Sequence, residues 1–242
     1  MIFYIRGRNS NYMKKLQYLF LAPFIATFFI YSCDSIDLNS ILQDDDIAAG
    51  LREALNIGTD TAVAKGSLVN GYFENPDITI FFPEEASIVQ SVVGAIPGGD
   101  LLIDDFIEQM NHAAEDAADE AKPICQDAIT GITFDDATAI LNGADTAATN
   151  YLRVNTFSEL YDAFKPDIQT SLENVGAQQA WEDVMDLYNS IPLVTDVTTD
   201  LADYTTNKGL DGLFHLVGEE EIKIRSDVSH QVTDLLQQVF GN

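Results

Sequence analysis

The chain has 242 residues, 46% of them hydrophobic, with 12 basic residues against 39 acidic ones and a formal net charge of −27. That apolar fraction supports a sizeable core and excludes a chain disordered over most of its length. The charge excludes nucleic acid and anionic lipid headgroups as partners, because both are themselves anionic.

In chain order, the first feature lies at residues 13–33. Lys14 and Lys15 precede an apolar run over residues 16–30, which Pro23 interrupts and Tyr31-Ser32-Cys33 closes. A membrane-spanning helix needs about 20 apolar residues, so this shorter run reads as a secretory signal. Met13 is the expected start, since "MKKLQYLFLAPF" opens as such signals do. "IYSC" at residues 30–33 resembles the bacterial lipobox, in which an aliphatic residue three before and a small residue directly before the cysteine mark it for lipidation. Tyr31 is bulkier than the usual residue there. The expected organisation is a signal peptide over residues 1–32, a short tether over 33–39 anchored by lipid on Cys33, and a helical domain over 40–242. Acyl chains buried at ~0.8 kcal/mol per CH₂ make such an anchor stable when two or more are attached.

Residues 1–32 hold four basic residues and no acid, so their removal leaves eight basic against 39 acidic residues, a net charge of −31. The acids are scattered along the chain, which suits a solvated surface. The expected location is the bacterial cell envelope, facing the periplasm. Asp34 follows Cys33, a position that retains lipoproteins at the inner membrane in some Gram-negative bacteria; other lineages do not read it, and the outer membrane is the expectation here. With Cys33 lipidated, Cys125 stands alone in "KPICQDAI", without an activating histidine beside it, and reads as a small buried hydrophobe.

Beyond the tether the apolar spacing is helical nearly throughout. Asp44, Asp45 and Asp46 form the acidic first turn of a helix. Residues 70–71, Asn-Gly, suit a tight turn, and the β-branched and aromatic run over 76–82 reads as one short extended segment pairing near that turn. Pro83-Glu84-Glu85 signals a helix start. Ile103, Phe106, Met110, Ala113 and Ala117 make one apolar stripe; Phe157, Leu160, Phe164 and Ile168 a second; Trp181, Val184 and Tyr188 a third; Leu210, Leu213, Phe214, Val217 and Ile224 a fourth; and Val232, Leu235, Leu236, Val239 and Phe240 close the chain. Pro166 is expected to kink or divide its helix. The fold class is therefore all-α, a single multi-helix bundle-like domain with one short extended segment near residues 76–82.

Two similar phrases, "ALNIGTDTAVAK" and "AILNGADTAATNYLR", read as two helix–turn–helix corners, with Gly58 and Gly143 as left-handed stops and Thr59 or Asp60, and Asp145, as the next caps. Thr133 with Asp136 has the spacing of a capping box. A helix start also presents unpaired N–H groups, which makes Asn142, Asp145, Thr146, Thr149 and Arg153 the candidate ligand-binding residues. On the helix after Gly99, the residues Asp104, Glu108, His112 and Glu115, with Asp119, recur on one polar stripe. Carboxylates flanking an imidazole are candidate metal ligands, and a solvated face is the plainer reading. Glu219 with Lys223 and Glu221 with Arg225 have helix-supporting i,i+4 order.

Six ordered segments, "GLREALNIGT", "NPDITIFFPEE", "MNHAAEDA", "ILNGADTAATNYLR", "DLADYTTNKGLDGLFHLVGEEEIKIR" and "TDLLQQVFG", together resemble the bacterial envelope-protein family called domain of unknown function 4197, over roughly residues 40–242. The resemblance implies an exported, often lipid-anchored helical protein with no activity to carry over. His112 departs from the family pattern, which usually places Arg after "MN". No GxSxG, HExxH, CxxC, Walker, GxGxxG or calcium-loop motif is present, so no catalytic residue and no cofactor is expected, although a divalent cation would suit the acidic stripe. The expected function is a non-catalytic helical binding or interaction module. Its partners would be the membrane, through the N-terminal lipid, and an apolar small molecule or another envelope protein. The alternative is a carboxylate- or metal-dependent envelope hydrolase.

Overall fold

The computed structural model describes residues 44–194, 197 and 199–241, and every regular element among them is helical. The signal segment and Cys33 lie outside the described residues. In order come α1 (Asp44–Gly66), a 3₁₀ turn (Glu84–Ala86) leading into α2 (Ser87–Gly94), α3 (Gly99–Ala117), a turn at Ala118–Glu120, and α4 (Ala121–Thr130). Then follow α5 (Phe134–Leu141), α6 (Ala147–Asn174), α7 (Ala177–Asn189), α8 (Leu201–Ser226), a turn at Val228–His230 and α9 (Asp234–Phe240). The long helix α8 packs along α6 and α1, α3 lies between α6 and α7, and α9 closes on α1.

The apolar stripes are the reason these segments fold as helices and find one another. Ile103, Phe106, Met110, Ala113 and Ala117 of α3 are buried, as are Leu160, Phe164 and Ile168 of α6 and Leu210, Leu213, Phe214, Val217 and Ile224 of α8. An aromatic knot ties the loop before α2 to α3 and α7: the rings of Phe82, Phe106 and Trp181 stand 5.1–5.6 Å apart, tilted or edge-on as ring quadrupoles prefer. Only part of the last stripe is core, since Leu236 is buried and Val232 is exposed. Cys125 is free and buried, and burial pushes its thiol up to about 12.

Residues 76–82 are irregular and pair with no strand among the described residues. Asn70 does turn the chain in the left-handed region, with φ 64°, a conformation Asn adopts more readily than most residues. The partner expected of a second strand is replaced by one side chain. Asn111 on α3, fully buried, accepts from the Ile80 N–H and donates to the Ile80 carbonyl, both at 2.8 Å, so an amide does the work of a strand edge.

Neither glycine corner takes the expected form. Gly58 sits inside an uninterrupted α1 where α8 crosses it, and a Cβ there would stand 3.6 Å from the Glu220 side chain, an ordinary contact, so neither a turn nor crowding requires glycine. Gly143 does follow α5, but not in the left-handed region. A Cβ there would come within 2.7 Å of Ala147 Cβ, so crowding and not backbone conformation requires glycine. α6 also runs through Pro166 undivided, giving up one ladder bond. The Thr133–Asp136 capping box is present at α5 as predicted.

The start of α6 carries no cap from its own neighbourhood: its N-cap is Thr146, whose side chain makes no capping bond. The cap comes from 72 residues away. Buried Glu221 on α8 accepts from the N–H groups of Ala148 (3.0 Å) and Thr149 (2.7 Å) and from the Thr149 hydroxyl (2.7 Å). Arg225, one turn on, meets the same carboxylate at 2.9 Å and donates to the carbonyls of Ile140 (3.0 Å) and Leu141 (3.2 Å) at the end of α5. One ion pair thus satisfies open donors of one helix and binds the terminal carbonyls of another, of which Ile140 also takes the Gly143 N–H at 3.0 Å. Beside it, Lys65 and Lys223 both bind Glu220; burial works against that carboxylate's charge, but the two ammonium groups outweigh it and hold it below the usual range.

Removing one member of a buried, hydrogen-bonded pair leaves the other charge uncompensated, at a cost of roughly 3–5 kcal/mol. Glu221→Ala is therefore expected to lower the free energy of urea unfolding by about that much, whereas Thr133→Ala at the exposed capping box should cost only about 1 kcal/mol. Equal effects for the two variants would contradict the role given to Glu221.

Candidate functional site

The polar stripe on α3 is divided by the fold. Asp104 is exposed and Glu108 partly so, while Glu115 is buried and turned towards the chain after α1. Its carboxylate accepts from the N–H groups of Asn70 (3.1 Å), Tyr72 (3.0 Å) and Phe73 (3.2 Å), a ring of donors that fixes the turn. His112 Nδ1 lies 2.7 Å from Glu115 and its Nε2 3.6 Å from Glu108. Partial burial disfavours the imidazolium, yet the bond to Glu115 and the charges of Glu115 and Glu108 prevail and raise the His112 pKa above its ordinary value. His112 thus supplies a titratable cation to a carboxylate that is otherwise held by backbone amides.

The other sequence candidates surround the α5–α6 corner. Thr149 is buried and engaged with Glu221, so the N–H donors expected to hold an anion already hold a carboxylate of the chain itself. Asn142 turns back to donate to the Thr138 carbonyl at 2.9 Å, and Asp145 is exposed. Thr146, Thr149 and Arg153 line an open groove of about 440 Å³ that runs from this corner between α6 and α8.

That groove is built from two helical stripes. Thr146, Thr149, Asn150 and Arg153 follow steps of three, one and three on the α6 side; Asp211, Phe214, His215, Gly218, Glu219 and Ile222 do the same on α8. Gly218 lowers the α8 wall where the corner approaches, a Cβ there standing 3.6 Å from Thr146 Cγ2. Arg153 is fixed from three sides: its guanidinium sits over the rings of Phe157 (5.3 Å) and Phe214 (5.4 Å) and Nη2 pairs with Asp211. Sequence reasoning missed the α8 wall. Its signal was the i, i+3, i+4 recurrence of residues 211–222, concealed because the apolar stripe of the same helix has the same period.

Two further clefts, of about 380 and 390 Å³, flank Asp200. The first is crowded with carboxylates from Glu84, Glu85, Asp200, Asp203 and Asp211, and both adjoin in sequence the positions 195, 196 and 198 that fall outside the described residues. The Ser229 hydroxyl stands 3.3 Å from His230 Nδ1, but Asp227 faces the same nitrogen at 3.3 Å, so orienting acid and hydroxyl compete for one atom and no relay through the ring results. No helix among the described residues is long and apolar enough to cross a membrane.

A family model described as "Protein of unknown function (DUF4197)" matches residues 41–241. No curated protein and no solved structure matches the chain.

A histidine whose folded pKa is raised contributes stability that is complete below its unfolded value of about 6.5 and is lost as pH rises through the folded value. The gap in urea midpoint between the wild-type protein and His112→Ala should accordingly be wider at pH 6 than at pH 9. A gap independent of pH would show that the His112–Glu115 contact carries no charge.

Proposed function

Because the chain belongs to the DUF4197 family of proteins of unknown function, which hands on no activity, we propose from its own residues that it is a non-catalytic binding module. In this reading it is tethered to the bacterial cell envelope by lipid on Cys33 and takes its ligand in the groove between α6 and α8.

The observation that carries this reading is the division of labour among polar groups. The buried carboxylates Glu115, Glu220 and Glu221 are all engaged by backbone amides or by basic side chains that hold elements together. The one hydroxyl beside them, Thr149 on Glu221, is itself buried and bound to that carboxylate as part of the cap of α6. The groove is different: an apolar floor of Phe214 and Ile222 lies beside the hydroxyl of Thr146, the amide of Asn150 and a fixed guanidinium. Concave, mainly apolar surfaces with a few convergent polar groups are where small molecules bind.

The local charge selects the ligand class. Asp211 already neutralises Arg153, and Glu219 stands on the same wall, so an anionic ligand would have to displace a carboxylate and would meet another. An uncharged or zwitterionic amphiphile suits the site better, its apolar part on Phe214 and Ile222 and its polar end among Thr146, Asn150 and Arg153. The tether supports the same reading, since a lipid anchor on Cys33 would keep the domain at a membrane surface where amphiphiles are concentrated.

Two measurements test it. Intact mass of the membrane-extracted protein should show acyl chains on Cys33, and Cys33→Ala should move the protein to the soluble fraction; membrane retention of that variant would remove the anchor. Native mass spectrometry should show a co-purifying amphiphile that disappears in Gly218→Leu, whose Cβ has room and whose longer branches fill the groove, with the melting temperature maintained. Retention of the amphiphile by folded Gly218→Leu would remove the groove as its seat.

A further inference from the structure

One rim of the groove gathers three side chains that neither the family description nor the sequence pattern joins. Asp77, His215 and Glu219 place one donor atom each within 4.8 Å of one another, the one such group of metal-ligating side chains found among the described residues. His215 and Glu219 are one turn apart on α8, with His215 Nε2 3.8 Å from Glu219 Oε1. Asp77 comes from the irregular segment after α1, 138 positions before His215.

The segment carrying Asp77 is fixed against the helix that carries the other two. Tyr72 donates its hydroxyl to the Gly209 carbonyl of α8 at 2.7 Å. Ile78, the residue after Asp77, rests on Gly212, where a Cβ would lie 3.1 Å from Ile78 Cβ. The Asp77 N–H is held by Asn75 Oδ1 at 3.1 Å, which sets the direction of the residue's backbone. Asp77 therefore faces the His215–Glu219 turn through packing that α8 itself enforces.

We propose that Asp77, His215 and Glu219 form a binding site for a divalent transition-metal ion, of which Zn²⁺ is the type. Donors about 2.0–2.2 Å from such an ion stand roughly 3–3.5 Å apart, so the three need to close by at most about 1.5 Å, within the rotamer freedom of exposed side chains. Two carboxylates and a neutral imidazole balance a double positive charge. The imidazole favours Zn²⁺ and its neighbours over Ca²⁺ and Mg²⁺, which take oxygen donors. Three protein ligands leave at least one coordination position, and because His215 and Glu219 also line the groove, that position opens onto it. The site stands apart from the groove reading, since an ion can be titrated with no organic ligand present.

The test is calorimetric titration of the mature chain with Zn²⁺ alone, supported by the visible d–d absorption of Co²⁺. Saturable binding of one ion per chain is expected, weakened at least about tenfold by His215→Ala and by Asp77→Asn. His112→Ala, which alters a separate imidazole–carboxylate cluster, should leave it unchanged. His215 and Asp77 are exposed, so these variants keep the fold, and circular dichroism checks that they do. The proposal is overturned by the absence of one-to-one binding up to about 1 mM, by binding that survives His215→Ala, or by Ca²⁺ binding as tightly as Zn²⁺ at the same residues. Loss of a groove amphiphile in Gly218→Leu with Zn²⁺ binding intact separates this site from the groove.

Discussion

The first amides of α6 have no partner within their own helix, and the last carbonyls of α5 have none within theirs. A single ion pair on α8, Glu221 with Arg225, answers both needs at once. Because the pair is buried, its two charges depend on those backbone groups as much as the backbone depends on them. The corner between α5 and α6 therefore has one position relative to α8, and the groove, one wall of which begins at that corner, inherits its width from the same contact.

A second carboxylate repeats the device on α3. Glu115 gathers three amides of the turn at residues 70–73, and Asn111, one turn earlier on α3, fastens Ile80. Between them these two side chains hold a stretch of chain that has no hydrogen-bonding partner strand. The same stretch bears Asp77 against α8, so the buried polar contacts of α3 and the packing at Gly212 together decide where a surface carboxylate stands. Structural polar groups inside and chemically available ones outside are in this way linked through rigid backbone.

The charge balance acquires a particular meaning in this setting. With few basic residues available, several of them hold buried or helix-joining carboxylates: Lys65 and Lys223 on Glu220, Arg225 on Glu221, Arg153 on Asp211. Apart from the buried Glu115, the remaining acids among the described residues are partly or fully exposed, where they keep the domain solvated and give it a negative field. Such a field disfavours anionic ligands and favours cations, and it frames both the amphiphile reading of the groove and the metal reading of its rim.

The sequence by itself determined the helical class, the apolar faces and a few helix starts, because apolar period, proline position and the Thr133–Asp136 box act within a few residues of themselves. It also singled out Thr146, Thr149 and Arg153, which the fold places along one groove, and paired Glu221 with Arg225. The tertiary structure alone decided what the repeated phrases do: Gly58 marks a crossing inside a helix and Gly143 a crowded exit, although both read as left-handed stops. It alone showed that Asn111 replaces a strand, that Glu221 caps a helix 72 residues away, and that Asp77 meets His215 and Glu219. The physical reason is range. Propensity and capping are local and leave their mark in neighbouring letters, whereas a buried carboxylate or a close approach at glycine is satisfied by whichever distant segment the packing delivers, and nothing in the adjacent sequence names it.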